Sequence, residues 1–567
     1  MTLSSRIAAA RGDIQADLLL KNARLIHVLT GEIYPTDIVV HNGYIVGLGQ
    51  GYSAAHEVDL GGRYVAPGFI DAHVHIESSL CTPPEFARAV AVRGVTSIIT
   101  DPHEIANVLG LDGIRFMLER SRHSPINNFV MASSCVPATH METSGARLEA
   151  DDLAALLADE WVIGLAEMMN YPGVVAGDER ILDKLELFKH RPIDGHSPSL
   201  TGYALNAYAA SGIGSDHECT TPEEAREKLR LGMTILIREG TTTHNLKPLL
   251  PVVTPQNQHR FCFCTDDRQP GDLLDKGSID MMIRTAIAAG IDPMTAIRMG
   301  TINTANWFRL FDRGAVVPGR RADMVVFSDI NELHAELVYR NGVLIAQNGQ
   351  MTFASPPLTP VHLRASMNAT STFDVSIPAR GSRVHVIEGY ADQVVTGHTV
   401  DDARIVDGYA VSDVERDMLK MIVIERHGAS NNIGKGFIRG FGLKRGSIAG
   451  SVAHDHHNLV VIGTDDDSIR RAAHAVIEMG GGLVAVDGDQ VVASLALPIA
   501  GLMSEAPIHE VRRDYDGLIA AARTMGSQMF DPFMAMSFMA LEVIPKLKLT
   551  DIGLVDVETF EVIDLFV

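Results

Sequence analysis

Two histidines separated by one residue stand at the end of an apolar run early in the chain. They are His73 and His75, in the stretch FIDAHVHIE. Side chains i and i+2 of a β-strand point to the same face, so two imidazoles placed in this way can bind one divalent cation together. Among 23 His in 567 residues, about one such pair is expected by chance. The pair alone therefore does not define a metal site.

Four other apolar runs also end in a histidine or a carboxylate. The residues are Glu167, His196, His217 and Asp266. If the runs are parallel strands of a barrel, their ends meet at its C-terminal face, where barrel enzymes hold their active sites. Together with the first pair they are enough ligands for two divalent cations with one carboxylate between them. Imidazole and carboxylate ligands suit Mn²⁺, Fe²⁺ or Zn²⁺, and the residue types do not choose among these metals.

Two cations held in this way would support hydrolysis. They lower the pKa of a shared water toward neutrality, so that hydroxide is available at working pH. Asp266 would accept the proton of the attacking oxygen and return it to the departing amine. The residues therefore predict a hydrolase that depends on two metal ions.

Eight short apolar runs alternate with amphipathic stretches between residues 67 and 310. Strands that alternate with helices are typical of βαβ units and of a parallel sheet. A doubly wound open sheet has the same alternation, but eight units with polar residues at the strand ends favour a closed (β/α)₈ barrel. The runs are FIDAHVHIE, TSIITDPHE, NFVMASSCVP, WVIGLAEMMN, PIDGHSP, GIGSDHE, MTILIREG and FCFCTDD.

Strand-rich segments flank the predicted barrel on both sides. The hairpin signals HNG and GG interrupt residues 17–66. The downstream stretches RRADMVVFSD and LVYRNGVLIAQNG show the same pattern of short strands and turns. We predict a small β-sandwich domain from residues 1–66 plus 311–360, and a barrel from residues 67–310. After the linker-like PPLTP, strands mix with helices, so residues 361–567 are predicted to form a C-terminal α+β domain. The predicted fold class is α/β.

Composition and charge exclude several classes of protein. A net charge of −22 argues against a nucleic-acid surface, which needs basic groups to neutralise phosphates. Five Cys are too few for a disulfide framework in a chain of this length, and an odd number cannot all be paired within the chain. The set indicates a reducing compartment. The first residues lack the apolar core of a signal peptide, and the stretch VVASLALPIAGLM is too short to span a bilayer. We predict a cytoplasmic protein with no membrane or nucleic-acid partner.

The chain contains a series of longer motifs: PGFIDAHVHIESS, TDPHEIANVLG, SSCVPA, GLAEMMNYPGV, DGHSPSL, SDHE, LGMTILIREG, CTDDR, RGFGLKRGSIAGSVAHDHHNLVVIG and LPIAGLMS. Together these motifs closely resemble those of the bacterial adenine deaminases of the amidohydrolase superfamily. The resemblance covers nearly the whole chain, since two of the motifs lie in the predicted C-terminal domain. It implies hydrolysis of adenine to hypoxanthine and ammonia, and a homo-oligomer such as a dimer.

The resemblance also implies how the metal ligands are shared. Two histidines would hold the first metal and two the second, with one carboxylate bridging the metals and another as terminal ligand. Relatives with a carboxylated lysine at the bridging position differ here. Mn²⁺ or Fe²⁺ is favoured, with Zn²⁺ as the third candidate. The implied ligands are His73 and His75, then His196 and His217, with Glu167 as the bridge and Asp266 as the terminal ligand and proton carrier.

Three further residues are implied around the substrate. Asp267 would face adenine and bond a ring nitrogen. His103 and Glu104 would bind the substrate or protonate the ring, because attack at C6 places negative charge on N1. Alternatively, His103 would hydrogen-bond to a metal ligand and support it from behind, and Glu104 would cap the helix that follows. Together with Asp266, His103 and Glu104 form the predicted catalytic set.

Other clusters leave their roles open. Glu239 closes the seventh run and would touch substrate, start a helix or form an ion pair. Cys262 and Cys264 are predicted to be barrel-core residues. A dense histidine cluster, His454, His456 and His457, would form either a separate metal site or, as we favour, a loop over the barrel mouth or at a subunit contact.

Two alternative enzymes and one non-enzyme compete with this interpretation. A cyclic-amide hydrolase of the usual type would carry lysine where this chain has Glu167. A deaminase of N6-methyladenine could share every group named above, since one methyl group changes only the pocket volume. A non-catalytic barrel would have lost metal ligands, and this chain retains the predicted set.

Overall fold

The barrel at the centre of the molecule contains eight short strands in chain order. The computed structural model describes residues 2–353, 363–370, 372–391 and 393–567. The predicted linker PPLTP and the domain boundary near residue 360 lie outside the described residues. The barrel strands are Phe69–His75, Val95–Thr100, Asn127–Ala132, Val162–Met168, Ile193–Gly195, Ser215–Asp216, Thr234–Arg238 and Phe261–Cys264, the last continuing into Asp266–Asp267.

Parallel pairing joins these strands in a closed order. Strands one to five pair in sequence, strands six to eight do the same, and Asp266 pairs with Val74 of the first strand. Between strands five and six, the backbone N–H of Gly214 donates to the carbonyl of Ile193 at 3.1 Å. The strand residues are almost all buried, as expected for a parallel sheet covered by helices. The predicted α/β barrel is confirmed, and every strand coincides with one of the eight apolar runs.

Helices and short 3₁₀ turns follow the strands and cover the outside of the barrel. Cys262 and Cys264 pack in an apolar cluster contributed by several barrel strands. The helices are Pro83–Ala91, His103–Leu109, Leu111–Arg122, Ala150–Ala154, Tyr171–Ala176, Glu179–Phe188, Gly202–Ala210, Pro222–Arg230, Leu246–Leu249, Pro270–Asp275, Ile279–Ala288, Pro293–Met299 and Ile302–Trp307, and the 3₁₀ turns are Ile76–Ser79, Leu250–Val252 and Gln258–Arg260.

A nine-stranded sheet joins the segments that flank the barrel. Strand Tyr64–Pro67 pairs antiparallel with strand Met324–Phe327, so both ends of the barrel emerge from neighbouring strands. Helix Leu3–Ala10 contacts the early strands. The remaining strands of this sheet are Ala16–His27, Glu32–His41, Tyr44–Leu48, Ala54–Asp59, Leu337–Arg340, Val343–Gln347 and Gln350–Met351.

The C-terminal part is built on an eight-stranded sheet with helix Asp466–Glu478 against it. Two more helices, Ile508–Thr524 and Pro532–Ser537, connect this part with the barrel. In the described ranges, we find no helix with the length and apolarity needed to cross a membrane. The strands are Arg383–Gly389, Thr396–Asp402, Leu419–Ile424, Ile433–Arg439, Ser447–Gly450, Leu459–Gly463, Gly482–Asp487 and Gln490–Ala496, with the smaller sheets Arg404–Val406, Tyr409–Val411 and Leu547–Leu549, Leu554–Asp556, Glu561–Ile563.

A buried ion pair supports the sixth barrel strand directly before His217. Lys228 Nζ lies 2.9 Å from Asp216 Oδ1, and both side chains are 0% exposed. Because the pair is solvent-free, removing the lysine leaves a buried carboxylate without its partner. We expect Lys228→Met to lower the free energy of unfolding by about 3–5 kcal/mol, measured by urea denaturation.

The matched control is Lys189→Met, which removes an ion pair with Glu186 on the barrel surface, where the two side chains are 53% and 71% exposed. An exposed pair of this kind contributes about 0.5 kcal/mol or less. Equal denaturation midpoints for the two variants would show that the buried pair contributes no more than the surface pair.

Candidate active site

The six predicted metal ligands converge at the C-terminal ends of the barrel strands. The strand ends place imidazole nitrogens and carboxylate oxygens within a few ångströms of one another. His75 Nε2 lies 3.1 Å from Glu167 Oε1 and 3.1 Å from Asp266 Oδ1. All six side chains are buried: His73, His75, Glu167, His196, His217 and Asp266.

Glu167 lies at the centre of this group. Its Oε1 is 3.5 Å from His73 Nε2 and 3.1 Å from His75 Nε2. Its Oε2 is 2.6 Å from His196 Nδ1 and 3.2 Å from His217 Nε2. Each carboxylate oxygen therefore faces a different pair of histidines. This is the arrangement that a carboxylate shared by two cations requires.

The hydrogen bond of His75 to the backbone tests whether a cation fits here. Its Nδ1 lies 3.0 Å from the carbonyl oxygen of Asp101, and a carbonyl can only accept, so Nδ1 carries the proton. In the neutral ring Nε2 then has a lone pair, and it faces His73 Nε2 at 3.0 Å as well as two carboxylate oxygens. Lone pairs that converge in this way repel unless positive charge lies between them. A backbone carbonyl on the other ring nitrogen is also the usual orientation of a metal-binding histidine.

The charges of the cluster lead to the same conclusion. Burial lowers the pKa of His73, but hydrogen bonds with Asp194, Asp266 and Glu167 raise it well above its ordinary value. Burial raises the pKa of Glu167, but His217 and His196 lower it well below its usual range. The cluster therefore binds positive charge strongly, and its donor set fits a divalent cation.

Two groups beside Asp266 were missed by the sequence analysis. Arg238 Nη1 lies 2.9 Å from Asp266 Oδ2, and Arg238 also forms a buried ion pair with Glu218. The backbone of Asp266 has φ 54°, a left-handed conformation that costs energy in a non-glycine residue. The ion pair with Arg238 helps to hold Asp266 in this conformation. The neighbouring Glu239 faces away, where it accepts the N–H of Leu246 at 3.1 Å and so starts a helix.

Asp267 lines the cavity above the cluster. Its Oδ1 accepts a hydrogen bond from Ser78 Oγ, which fixes the direction of the carboxylate. Burial first, and then the charge of Asp266, raises the pKa of Asp267. A carboxyl group held in this way can accept a hydrogen bond from, or share a proton with, a ligand in the cavity.

His103 and Glu104 form a second polar group on the cavity wall. His103 Nδ1 lies 2.9 Å from Asp101 Oδ2, and His103 Nε2 lies 3.4 Å from Glu104 Oε1. Glu104 does not cap its helix but accepts hydrogen bonds from His454, at 2.5 Å, and His457. The histidine cluster of the C-terminal domain thus lies over the barrel mouth, as favoured from the sequence.

The cavity has two chemically different halves. The barrel supplies polar side chains apart from Met169, and the C-terminal domain supplies mainly apolar ones. No signal in the sequence indicated which apolar residues of the C-terminal domain reach the barrel. The C-terminal lining residues are Val394, His454, Asp455, Phe538, Leu541 and Ile544.

Comparison with known families agrees with this architecture. Residues 64–355 match the amidohydrolase family, and residues 393–561 match the adenine deaminase C-terminal domain. The chain therefore belongs to the amidohydrolase family, whose fold and buried histidine and carboxylate groups imply a divalent metal.

Relatives extend the similarity along the whole chain. A protein named adenine deaminase from Desulfatibacillum aliphaticivorans is 48% identical over 99% of both chains. One named adenine deaminase 2, from Carboxydothermus hydrogenoformans, is 47% identical over 98% of both chains. A crystal structure of an adenine deaminase superposes with a TM-score of 0.47 at 18% identity, covering 59% of this chain and 100% of that one. The chain is 48% and 47% identical to these two full-length relatives and belongs, within the amidohydrolases, to the adenine deaminase group.

The position of Glu167 between four imidazoles leads to a test by metal analysis. We expect Glu167→Gln to lose most of its divalent metal, because a neutral amide cannot balance two cations. Bound metal is measured by inductively coupled plasma mass spectrometry after Mn²⁺ loading. The control is Glu160→Gln, at an exposed position before the same strand. Full metal content in Glu167→Gln would contradict the bridging assignment.

Proposed function

We propose that the protein hydrolyses adenine to hypoxanthine and ammonia. The proposal rests on its full-length similarity to proteins named adenine deaminase, at 48% identity over 99% of the chain for the relative from Desulfatibacillum aliphaticivorans. This similarity includes the C-terminal domain, which lines the same cavity as the barrel residues. The substrate is accordingly a small flat heterocycle.

We propose that the cluster holds two divalent cations, Mn²⁺ or Fe²⁺ before Zn²⁺. When bound, such cations lower the pKa of water and so supply a nucleophile at neutral pH. The proposed ligands are His73 and His75 for one cation, His196 and His217 for the other, Glu167 between them and Asp266 as the terminal ligand.

Asp266 is the proposed proton carrier. It takes the proton that the attacking water loses and returns it to the departing amine nitrogen of adenine. Arg238 donates to Asp266 Oδ2, while Oδ1 faces His75 Nε2 at 3.1 Å. The guanidinium therefore orients the carboxylate and leaves its other oxygen directed at the cluster.

The remaining polar groups act on the heterocyclic ring. Asp267, oriented by Ser78, is proposed to bond a ring nitrogen. His103 and Glu104 are proposed to bind the substrate or to deliver a proton to N1, where negative charge develops as water attacks C6. His103 is suited to donate because, although burial lowers its pKa, Asp101 and Glu104 raise it well above the ordinary value.

Loss of the proton carrier gives one test of this mechanism. We expect Asp266→Asn to fold normally but to lower kcat by about 10²–10⁴-fold, because an amide cannot take the proton. Turnover is followed by ammonia release from adenine with Mn²⁺-loaded protein. The control is Asp275→Asn, whose exposed side chain pairs with Arg512. Near-native kcat in Asp266→Asn would assign the proton transfer to another group.

The role of Asp267 has a different kinetic signature. We expect Asp267→Ala to lower kcat/KM for adenine at least tenfold while its metal content stays native, because this carboxyl group contacts the ring rather than the cations. Metal content and steady-state kinetics are measured on the same preparation. Metal loss without a selective kinetic defect would make Asp267 part of the metal site.

A substrate screen tests the function as a whole. Mn²⁺-loaded protein is incubated with adenine, N6-methyladenine, adenosine and cyclic amides, and ammonia or methylamine release or ring opening is measured. We expect adenine to give the highest kcat/KM, with the free base used in preference to the nucleoside. Preference for N6-methyladenine or a cyclic amide would replace the proposed substrate. Protein with neither bound metal nor turnover would be a non-catalytic barrel.

A cytoplasmic location, a homodimer, and the three domains with the boundaries given above remain predictions of the sequence. Gel filtration with light scattering measures the oligomeric state directly. Limited proteolysis near residue 360 tests the proposed boundary.

A further inference from the structure

The cavity beside the ligand cluster is lined partly by side chains from the C-terminal domain. We propose that this domain forms half of the substrate-binding site, with Phe538 covering the heterocycle and His457 holding Glu104 in position. The inference rests on the proposed function, because it takes a flat purine base as the ligand. The proposal gives binding and positioning roles to residues that lie far along the chain from the barrel residues they contact. Glu104 and His454, for example, are 350 residues apart.

The protonation of His457 follows from its backbone contact. The N–H of Ala453 donates to His457 Nδ1 at 3.1 Å, so this nitrogen carries the lone pair. The proton of the neutral ring is then on Nε2, which donates to Glu104 Oε2. In this tautomer His457 is a hydrogen-bond donor to the carboxylate of Glu104.

His454 provides a second hydrogen bond to Glu104 and also lines the cavity. Its Nδ1 lies 2.5 Å from Glu104 Oε1, which leaves Nε2 as the ring nitrogen available to a ligand in the cavity. The His454 ring stacks on Phe538 with centroids 4.4 Å apart and planes inclined by 13°. The stacking fixes the plane of both rings, so the cavity wall is preorganised before a ligand binds.

The loop that carries both histidines is itself anchored. Arg426, 0% exposed, donates to the carbonyl of His457, to the carbonyl of Ala500 at 2.9 Å, and to the carbonyl of Ser366 at 2.6 Å. A guanidinium shared by three separate segments limits the movement of the loop. The contact with Glu104 therefore holds the barrel residue to a fixed part of the C-terminal domain.

The apolar character of this half matches the face of a purine. Phe538, Leu541 and Ile544 line the same cavity as the polar barrel residues. An aromatic ring can stack on a base, while the barrel carboxylates and imidazoles reach its ring nitrogens and exocyclic amine. Removing such an aromatic contact typically weakens base binding roughly five- to hundredfold.

The first experiment separates binding from chemistry at Phe538. In Phe538→Ala we expect KM for adenine and the dissociation constant for hypoxanthine, measured by isothermal titration calorimetry, both to rise at least fivefold. Phe538→Leu keeps apolar bulk and is expected to fall between Phe538→Ala and the native protein, and it provides the test if the alanine variant does not fold. Metal content should stay native in both. The control is Phe530→Ala, at a ring that is 54% exposed in the same domain.

The second experiment tests His457 as a positioning residue. We expect His457→Leu to lower kcat at least tenfold with native metal content, since Glu104 loses a donor. His457→Gln retains an amide donor and should recover most of this loss, which a purely structural role would not produce. The control is His509→Leu, at an exposed histidine of the same domain.

The outcomes separate the two proposals. If native protein neither deaminates adenine nor binds hypoxanthine, the proposed function fails, and the same variants are then compared on the heterocycle that the screen identifies. If native protein does both, and Phe538→Ala and His457→Leu match it in KM, kcat and hypoxanthine affinity, the binding role of the C-terminal domain is overturned.

Discussion

A buried carboxylate surrounded by imidazoles is the constraint on which the rest of the structure depends. Glu167 is 2% exposed, and ring nitrogens of four histidines lie within 3.5 Å of its two oxygens. Taking so many polar groups out of water is costly unless positive charge is bound among them. The cluster can therefore exist only if the surrounding protein forces these groups together and supplies, or admits, the compensating charge.

The barrel holds these polar groups together because they lie at the ends of its strands. Six polar side chains at the C-terminal ends of parallel strands face one small space, while the strands themselves are anchored in apolar packing and in buried ion pairs such as Lys228 with Asp216. Around the cluster, further contacts fix two of the ligands from behind: the Asp101 carbonyl accepts from His75, and Arg238 donates to Asp266. Side-chain positions set in this way do not depend on bound substrate. This is the condition for low reorganisation during catalysis.

The C-terminal domain extends the same principle to the substrate side. Its histidines bind Glu104, its Phe538 faces the cavity, and its Arg426 fixes the loop that carries them. The barrel alone would leave Glu104 without these two donors and the cavity open to water on its apolar side. The barrel and the second domain both contribute side chains to one cavity, and the likeness to the relative from Desulfatibacillum aliphaticivorans spans 99% of the chain.

The amino-acid sequence by itself determined the barrel strands and the six residues at their ends. Apolar runs, alternating side-chain directions and the placement of these His, Asp and Glu residues at the ends of five of the eight runs are local properties, readable without knowing the partners. Motif resemblance added the adenine deaminase group, which the full-length relatives then supported. Only the tertiary structure decided which neighbour faces the cavity, as with Arg238 instead of Glu239, and which distant residues meet, as with Glu104 and His454, 350 positions apart. Contacts of that kind depend on how whole domains pack, and no local pattern in the chain encodes the packing of one domain on another.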